Sequence, residues 1–318
     1  MTQNKHIEHP EDSILNGDLS ALDWFLKDTQ KSVKFDGAPA IVWGEDFTQT
    51  VYSNEEKTRN KLISTKQFIG TKSVFNKRKI KVNYTHDDIN LNHSGEVADI
   101  LHVCFDNLPK ISAIIQCDFI GIKGSNTYTP NTITYKFKDK VEHNIVVAPH
   151  TFYKSTYKDC VSLNTTRSTP LNYNLTEAHK SIRDNKDVLF LQPKVSQTPL
   201  KDLEQRVNDI KNFASNVDYI VDKQLVSYKK KINEFIRQQL PVNSAEFDNP
   251  LLIELWGLVK ELKDDILTTL SHDSPIQSYI GNTQIDAEGY VLENEYGMFK
   301  VVNRELFSYA NFTNSKFN

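Results

Sequence analysis

Between Pro199 and His272 the apolar residues keep a helical interval. Leu203, Val207, Ile210, Ala214, Val217, Val221, Leu225, Tyr228, Ile232 and Phe235 recur three or four positions apart. A stripe of this kind lies along one face of a helix, ~50 Å long if unbroken at 1.5 Å per residue. Pro241, Asn243 and Asp248-Asn249-Pro250 interrupt it, and a second stripe follows through Leu252, Leu255, Val259, Leu262, Ile266 and Leu270. Two such stripes back to back predict an antiparallel helical hairpin whose apolar faces are packing seams.

The flanks follow a different period. Ser32–Phe35, Ala40–Trp43, Thr50–Tyr52, Ile111–Ile120, Thr132–Phe137, Asn144–Ala148, Val188–Leu191, Ala287–Leu292 and Gly297–Val302 read as strands. Asp36-Gly37 and Gly44-Glu45-Asp46 read as the turns between the first three of them. Asp18–Gln30 and Ser94–Asn107 read as helices. The expected class is therefore α+β. Residues 1–198 would form the first part of a core, 199–272 an inserted helical hairpin, and 273–318 the last strands of that core.

Composition narrows the functional classes. The 318 residues are 38% hydrophobic and 25% charged, a globular balance, and no apolar run approaches the ~20 residues that span a bilayer. Met1 to Asp12 is polar, with neither a signal-peptide core nor an arginine-rich leader, so a cytoplasmic protein with no membrane partner is expected. Cys104, Cys117 and Cys160 are far apart and fit reduced thiols. The nine histidines are scattered, without metal-site spacing on a predicted helix. A net charge of −3 gives no global attraction to nucleic acid. Positive charge is local, at Lys72, Lys77, Arg78, Lys79 and Lys81 and again at Lys229, Lys230 and Lys231. Such runs can neutralise phosphates, although a solvated face is their commoner use.

The strongest chemical signal is Lys34-Phe35-Asp36-Gly37, a lysine at a strand end before a tight turn. A Lys-x-Asp-Gly string arises by chance in roughly one chain in fifteen of this length. More signals follow far along the chain. Asp118 interrupts the apolar run Ile114-Ile115-Gln116-Cys117-Asp118-Phe119-Ile120, where a carboxylate is costly without a polar partner. Glu288-Gly289-Tyr290-Val291 opens one predicted strand, and Lys300 lies on the next. Two adjacent strands would then aim a carboxylate and an ammonium at one place.

In that order, Lys34–Gly37, Asp118, Glu288–Val291 and Lys300 resemble the covalent nucleotidyltransferases, which comprise ATP-dependent DNA ligases, RNA ligases and mRNA capping enzymes. The likeness is greatest to stand-alone phage-type RNA ligases. The resemblance implies a ligase-type, ATP-grasp-like nucleotidyltransferase fold with antiparallel sheets. It departs in three places: Pro39 stands where the family often has an arginine, Asp118 where it has a glutamate, and Val302 where it has a second lysine. Lys72 is the candidate for the missing cation.

What the resemblance implies is a polynucleotide ligase that stores AMP on Lys34 and passes it to a 5′-phosphorylated end. Its cofactors would be ATP and Mg2+ (or Mn2+). Lys300 would meet the α-phosphate, and Glu288 would hold the metal. Asp118 would bond the ribose, Asp36 and Gly37 would shape the loop, and adenine would lie against the Val33 backbone with Phe152 as a stacking candidate. A nearby cation and burial would lower the pKa of Lys34 and free its amine. The chain ends at Asn318, too soon after Lys300 for the five-stranded barrel of DNA ligases, so RNA ranks ahead of DNA as partner. DNA nick sealing and a binding protein that has lost catalysis remain alternatives. Oligomeric state is open.

Overall fold

The computed structural model describes residues 7–46, 66–72, 83–111, 113–153, 180–182 and 185–313. It is an α+β structure with mostly antiparallel sheets. Its helices are α1 (Pro10–Ser13), α2 (Ser20–Trp24), α3 (His86–Asn92), α4 (Gly95–Asn107), α5 (Leu203–Ala214), α6 (Asp222–Arg237), α7 (Pro250–Thr269) and α8 (Arg304–Thr313). Strands β1 (Gln30–Lys34), β2 (Ala40–Asp46), β3 (Lys66–Thr71), β4 (Ile114–Ile122), β5 (Thr127–Tyr128), β6 (Thr134–Lys136) and β7 (Ile145–Tyr153) come first. After them come β8 (Val188–Phe190), β9 (Val195–Gln197), β10 (Leu270–His272), β11 (Gln277–Ile280), β12 (Thr283–Ile285), β13 (Gly289–Asn294) and β14 (Gly297–Val302).

Two sheets frame the molecule. One has the order β1-β13-β14, and the other β3-β2-β4-β7-β8, with β7 and β8 parallel. Two smaller sheets, β12-β11-β6-β5 and β10-β9, complete the set, and no sheet among the described residues closes into a barrel. The five-stranded sheet packs Ile41, Ile69, Ile115 and Cys117 against Leu101 and Cys104 of α4. A second core joins β1, β6, β13 and β14 to the apolar faces of α5, α6 and α7. Burial of these faces, not helix propensity, supplies most of the stability of such helices.

Several local expectations are corrected. The first helical stripe is divided into α5 and α6 by residues 215–221, so three helices, not a hairpin, occupy this stretch. Val217 and Ile220 are buried in the connection and Tyr219 Oη donates to the Ala214 carbonyl (2.8 Å), so apolar spacing persists where the backbone leaves the helix. The helix expected over Asp18–Gln30 is only α2, and Gln30 already belongs to β1. Asp36-Gly37 does not close a hairpin, because β1 and β2 lie in different sheets. No turn follows at Gly44, since β2 runs through to Asp46. Gly44 takes φ +145°, and a Cβ there would fall 1.9 Å from the Ala113 carbonyl oxygen. The expected strand Thr50–Tyr52, the basic residues Lys77–Lys81 and Cys160 lie outside the described residues. Among those residues, no helix is long and apolar enough to cross a membrane.

Candidate active site

The site forms where β1 ends and β13 begins. Lys34, last in β1, pairs with Gly289, first in β13, so Glu288 stands beside Lys34 although 254 residues separate them. Gly289 is required here: it takes φ +147°, and a Cβ would lie 2.4 Å from the Val301 carbonyl oxygen of β14. Lys34 Nζ donates to both Glu288 oxygens, at 2.6 and 2.5 Å, with the side chains 27% and 13% exposed. On the other side of β13, Val291 pairs with both Ser32 and Lys300. Directly paired residues share a face and alternate residues repeat it, so Lys34 and Lys300 project from the same side of this sheet.

The segment after Lys34 crosses to the five-stranded sheet. Gly37 makes the approach possible, because a Cβ there would lie 2.6 Å from the Phe119 carbonyl oxygen and 2.7 Å from Asp118 Cβ. The Ala38 N–H donates to Phe119 O (3.0 Å), and the Ala38–Pro39 peptide is cis. Asp118, paired with Ala40 and Ala148, is thereby brought to the site, with His150 Nε2 3.6 Å from its Oδ1. Lys72 follows β3 and donates its N–H to Ala40 O (2.8 Å). Burial lowers its pKa, against the pull of Asp118 and with the repulsion of Lys34.

Asp36 is held by the chain itself. Its carboxylate accepts from Asn131 Nδ2 (2.8 Å) and from the N–H groups of Thr132 (2.9 Å) and Ile133 (3.3 Å). Its own N–H donates to the Tyr135 hydroxyl (2.5 Å), and Tyr135 packs on Phe35. The turn over residues 131–133 and Tyr135 thus clamp the loop that carries Lys34. Val33 is buried and pairs with Tyr290, on a strand at the edge of its sheet. Phe152 lies on β7 opposite Ile115, and its side chain is outside the described residues.

The electrostatics reverse one expectation. Burial pulls the pKa of Lys34 down, but Glu288, with Asp118 and Asp36, pushes it up, and the carboxylates prevail. Lys34 is therefore an ammonium held by Glu288 and not a depressed amine. The Glu288 pKa is raised by burial, which outweighs the stabilising effect of Lys34. Lys300, like Lys72, has a lowered pKa, first from burial and then from Lys34 and Arg304.

Sequence reasoning missed the wall behind Lys300. The Lys300 N–H donates to Glu8 O (3.0 Å), which ties the N-terminal segment to β14. Next along, Glu11 and Asp12 are buried with Arg304, whose guanidinium donates to Glu11 (3.2 Å) and to both Asp12 oxygens (2.8 and 2.9 Å). Trp256 Nε1 donates to Asp12 Oδ1 (2.9 Å). Lys263 of α7, fully buried, donates to the carbonyl of Val302 (2.9 Å), so a cation stands beside that position although Val302 has none. The only sequence signal was two adjacent acids before an apolar run. Ordinary helix starts carry the same signal.

Among the described residues, no group of three or more His, Cys, Asp or Glu side chains could hold a metal ion. A divalent ion here would rest on Glu288 with water and phosphate oxygens as its other ligands, a set that suits magnesium. No curated protein and no solved structure matches the chain. One family model matches residues 4–250 and 242–316, so the chain belongs to DUF6267, a family of unknown function.

Proposed function

We propose that the protein is an ATP-dependent polynucleotide ligase that works through a lysyl-AMP intermediate on Lys34, with RNA ends as first-choice substrate. One observation carries the reading: Lys34, Glu288, Lys300, Asp118 and Lys72, scattered over the sequence, gather at the seam of two sheets. A structural ion pair would account for Lys34 and Glu288. It would not account for two further lysines whose charge is disfavoured by burial beside them.

In the first step the Lys34 amine attacks the α-phosphorus of ATP. A P–N bond forms, the bond to the β-phosphate oxygen breaks, and pyrophosphate leaves. Glu288 would hold magnesium or manganese, which would supply positive charge to the phosphates. When Lys34 turns from Glu288 toward the phosphate it loses the contact that holds its proton, burial favours the neutral amine, and one proton passes to water, a second leaving the nitrogen as the P–N bond forms. Lys300 and Lys72 neutralise charge developing on the phosphate oxygens. The AMP then passes to a 5′-phosphate, and attack by a 3′-hydroxyl on that phosphate seals the ends with release of AMP.

The closed Lys34–Glu288 pair favours a second reading, a nucleotide-binding protein in which Lys34 stays charged. α-labelled ATP separates the two. Label retained by the denatured chain, lost in Lys34→Ala and reduced ~10²-fold or more in Lys300→Ala supports the ligase. Tight ATP binding with no covalent label supports the second reading.

A further inference from the structure

His9 is the unexplained group next to this site. It is 8% exposed, and its Nδ1 has no hydrogen-bond partner. The nearest carboxylate oxygen, Glu11 Oε1, is 3.7 Å away, beyond hydrogen-bond distance. The position is fixed by the backbone on both sides. Glu8 bridges Phe299 in parallel and accepts from Lys300 N–H, while the His9 carbonyl accepts from the N–H groups of Asp12 (3.1 Å) and Ser13 (3.3 Å). With Glu8 level with Phe299 and His9 extended (φ −83°, ψ 144°), alternation places His9 on the face that carries Lys300 and Lys34.

The charged groups around His9 are mostly positive: Arg304 of α8, Lys300 of β14, Lys263 of α7 and Lys34 of β1. Burial and these cations hold the ring neutral, so it keeps one N–H to donate. Arg304 and Lys263 are committed to Glu11, Asp12, Asp264 and the Val302 carbonyl. The His9 Nδ1 is not committed. A buried ring nitrogen without a partner is unfavourable, and an anionic oxygen is the partner that its cationic surroundings also attract.

We propose that His9 is a nucleotide-binding residue, donating from Nδ1 to a phosphate oxygen of ATP in the site of Lys34 and Lys300. This rests on the ligase reading. It extends that site to the N-terminal segment, which then holds β14 by its backbone and the nucleotide by its side chain.

The test measures binding of Mg·ATP, of adenosine and of a 5′-phosphorylated RNA oligonucleotide by calorimetry, in wild type, His9→Leu and His9→Asn. His9→Leu should lose ~10-fold or more in ATP affinity, the size of one hydrogen bond to a charged group, with adenosine affinity unchanged. His9→Asn, whose amide can donate from nearly the same place, should recover most of the loss. Equal ATP affinity in all three proteins would overturn the assignment and leave the ligase reading intact. A parallel loss for ATP and adenosine would also overturn it, because a role in folding alone moves both. A loss confined to a 5′-phosphorylated RNA oligonucleotide would overturn the choice of ATP as the ligand. Absence of ATP binding in wild type would remove the ligase reading and this inference together.

Discussion

At the residue scale the candidate site centres on the Lys34–Glu288 pair. The Lys34 pKa is raised in the folded chain, so protonated Lys34 contributes stability below the unfolded lysine value that is lost as pH rises through the folded one, while the raised Glu288 pKa marks a burial cost to its carboxylate. Glu288→Gln removes the largest upward influence on Lys34, and its amine should then react with acetic anhydride at a lower pH than in wild type. Peptide mass spectrometry across a pH series checks this, and an unchanged Lys34 profile would mean that Glu288 does not control the proton. The stability cost should sit at the low end of the ~3–5 kcal/mol typical of breaking a buried pair, because Lys34 is 27% exposed. The motif lysine and the Glu-Gly step were legible in the sequence because each pairs unusual chemistry with a backbone demand. His9, Tyr135 and the turn at residues 131–133 were not, since a lone histidine, a core tyrosine and an Asn-Thr turn are commonplace until something folds against them.

At the scale of the element, β13 is the member on which the site depends. It pairs with β1 through Gly289 and Lys34 and with β14 through Gly289 and Val302. Gly289→Ala should therefore cost ~2–4 kcal/mol, from a strained φ and a Cβ against the Val301 carbonyl, and should displace Glu288 with it. Thermal denaturation and the Lys34 pH profile should shift together. A stable variant with an unshifted profile would contradict the account. The strands β1, β2, β4, β13 and β14 were readable from β-branched runs, but β3, β5 and β9 to β12 were not, and neither was sheet membership. Asp36-Gly37 has the composition of a hairpin turn, yet its carboxylate is spent on residues 131–133 and the chain crosses to another sheet. The helical stripe misled for a similar reason: residues 215–221 keep the apolar spacing because Val217 and Ile220 pack as a buried connection.

For the molecule as a whole, the α+β class was readable from the change of period along the chain, while the partnership of helices and sheets in one core was not. That packing also alters the outlook for nucleic-acid binding. Lys229 pairs with Glu8 (3.0 Å), and Lys231 donates to the Glu246 carbonyl (2.5 Å) and lies over the Phe247 ring, whereas Lys230, Lys223 and Arg237 are exposed. If α6 holds a polynucleotide, Lys230→Gln should reduce the salt slope of RNA binding by roughly one unit, and adding Lys229→Gln and Lys231→Gln should reduce it little further. A three-unit fall in the triple variant would show that the internal pairs open on binding. No change in any variant would remove α6 from the interface.

The central claim is that Lys34 carries AMP, and the most direct measurement is incubation with α-labelled ATP and magnesium followed by denaturing electrophoresis and peptide mapping. The account predicts label on the peptide containing Lys34, released by added pyrophosphate and absent from Lys34→Ala. A wild-type chain that binds ATP but takes up no label, or label that persists in Lys34→Ala, would contradict it.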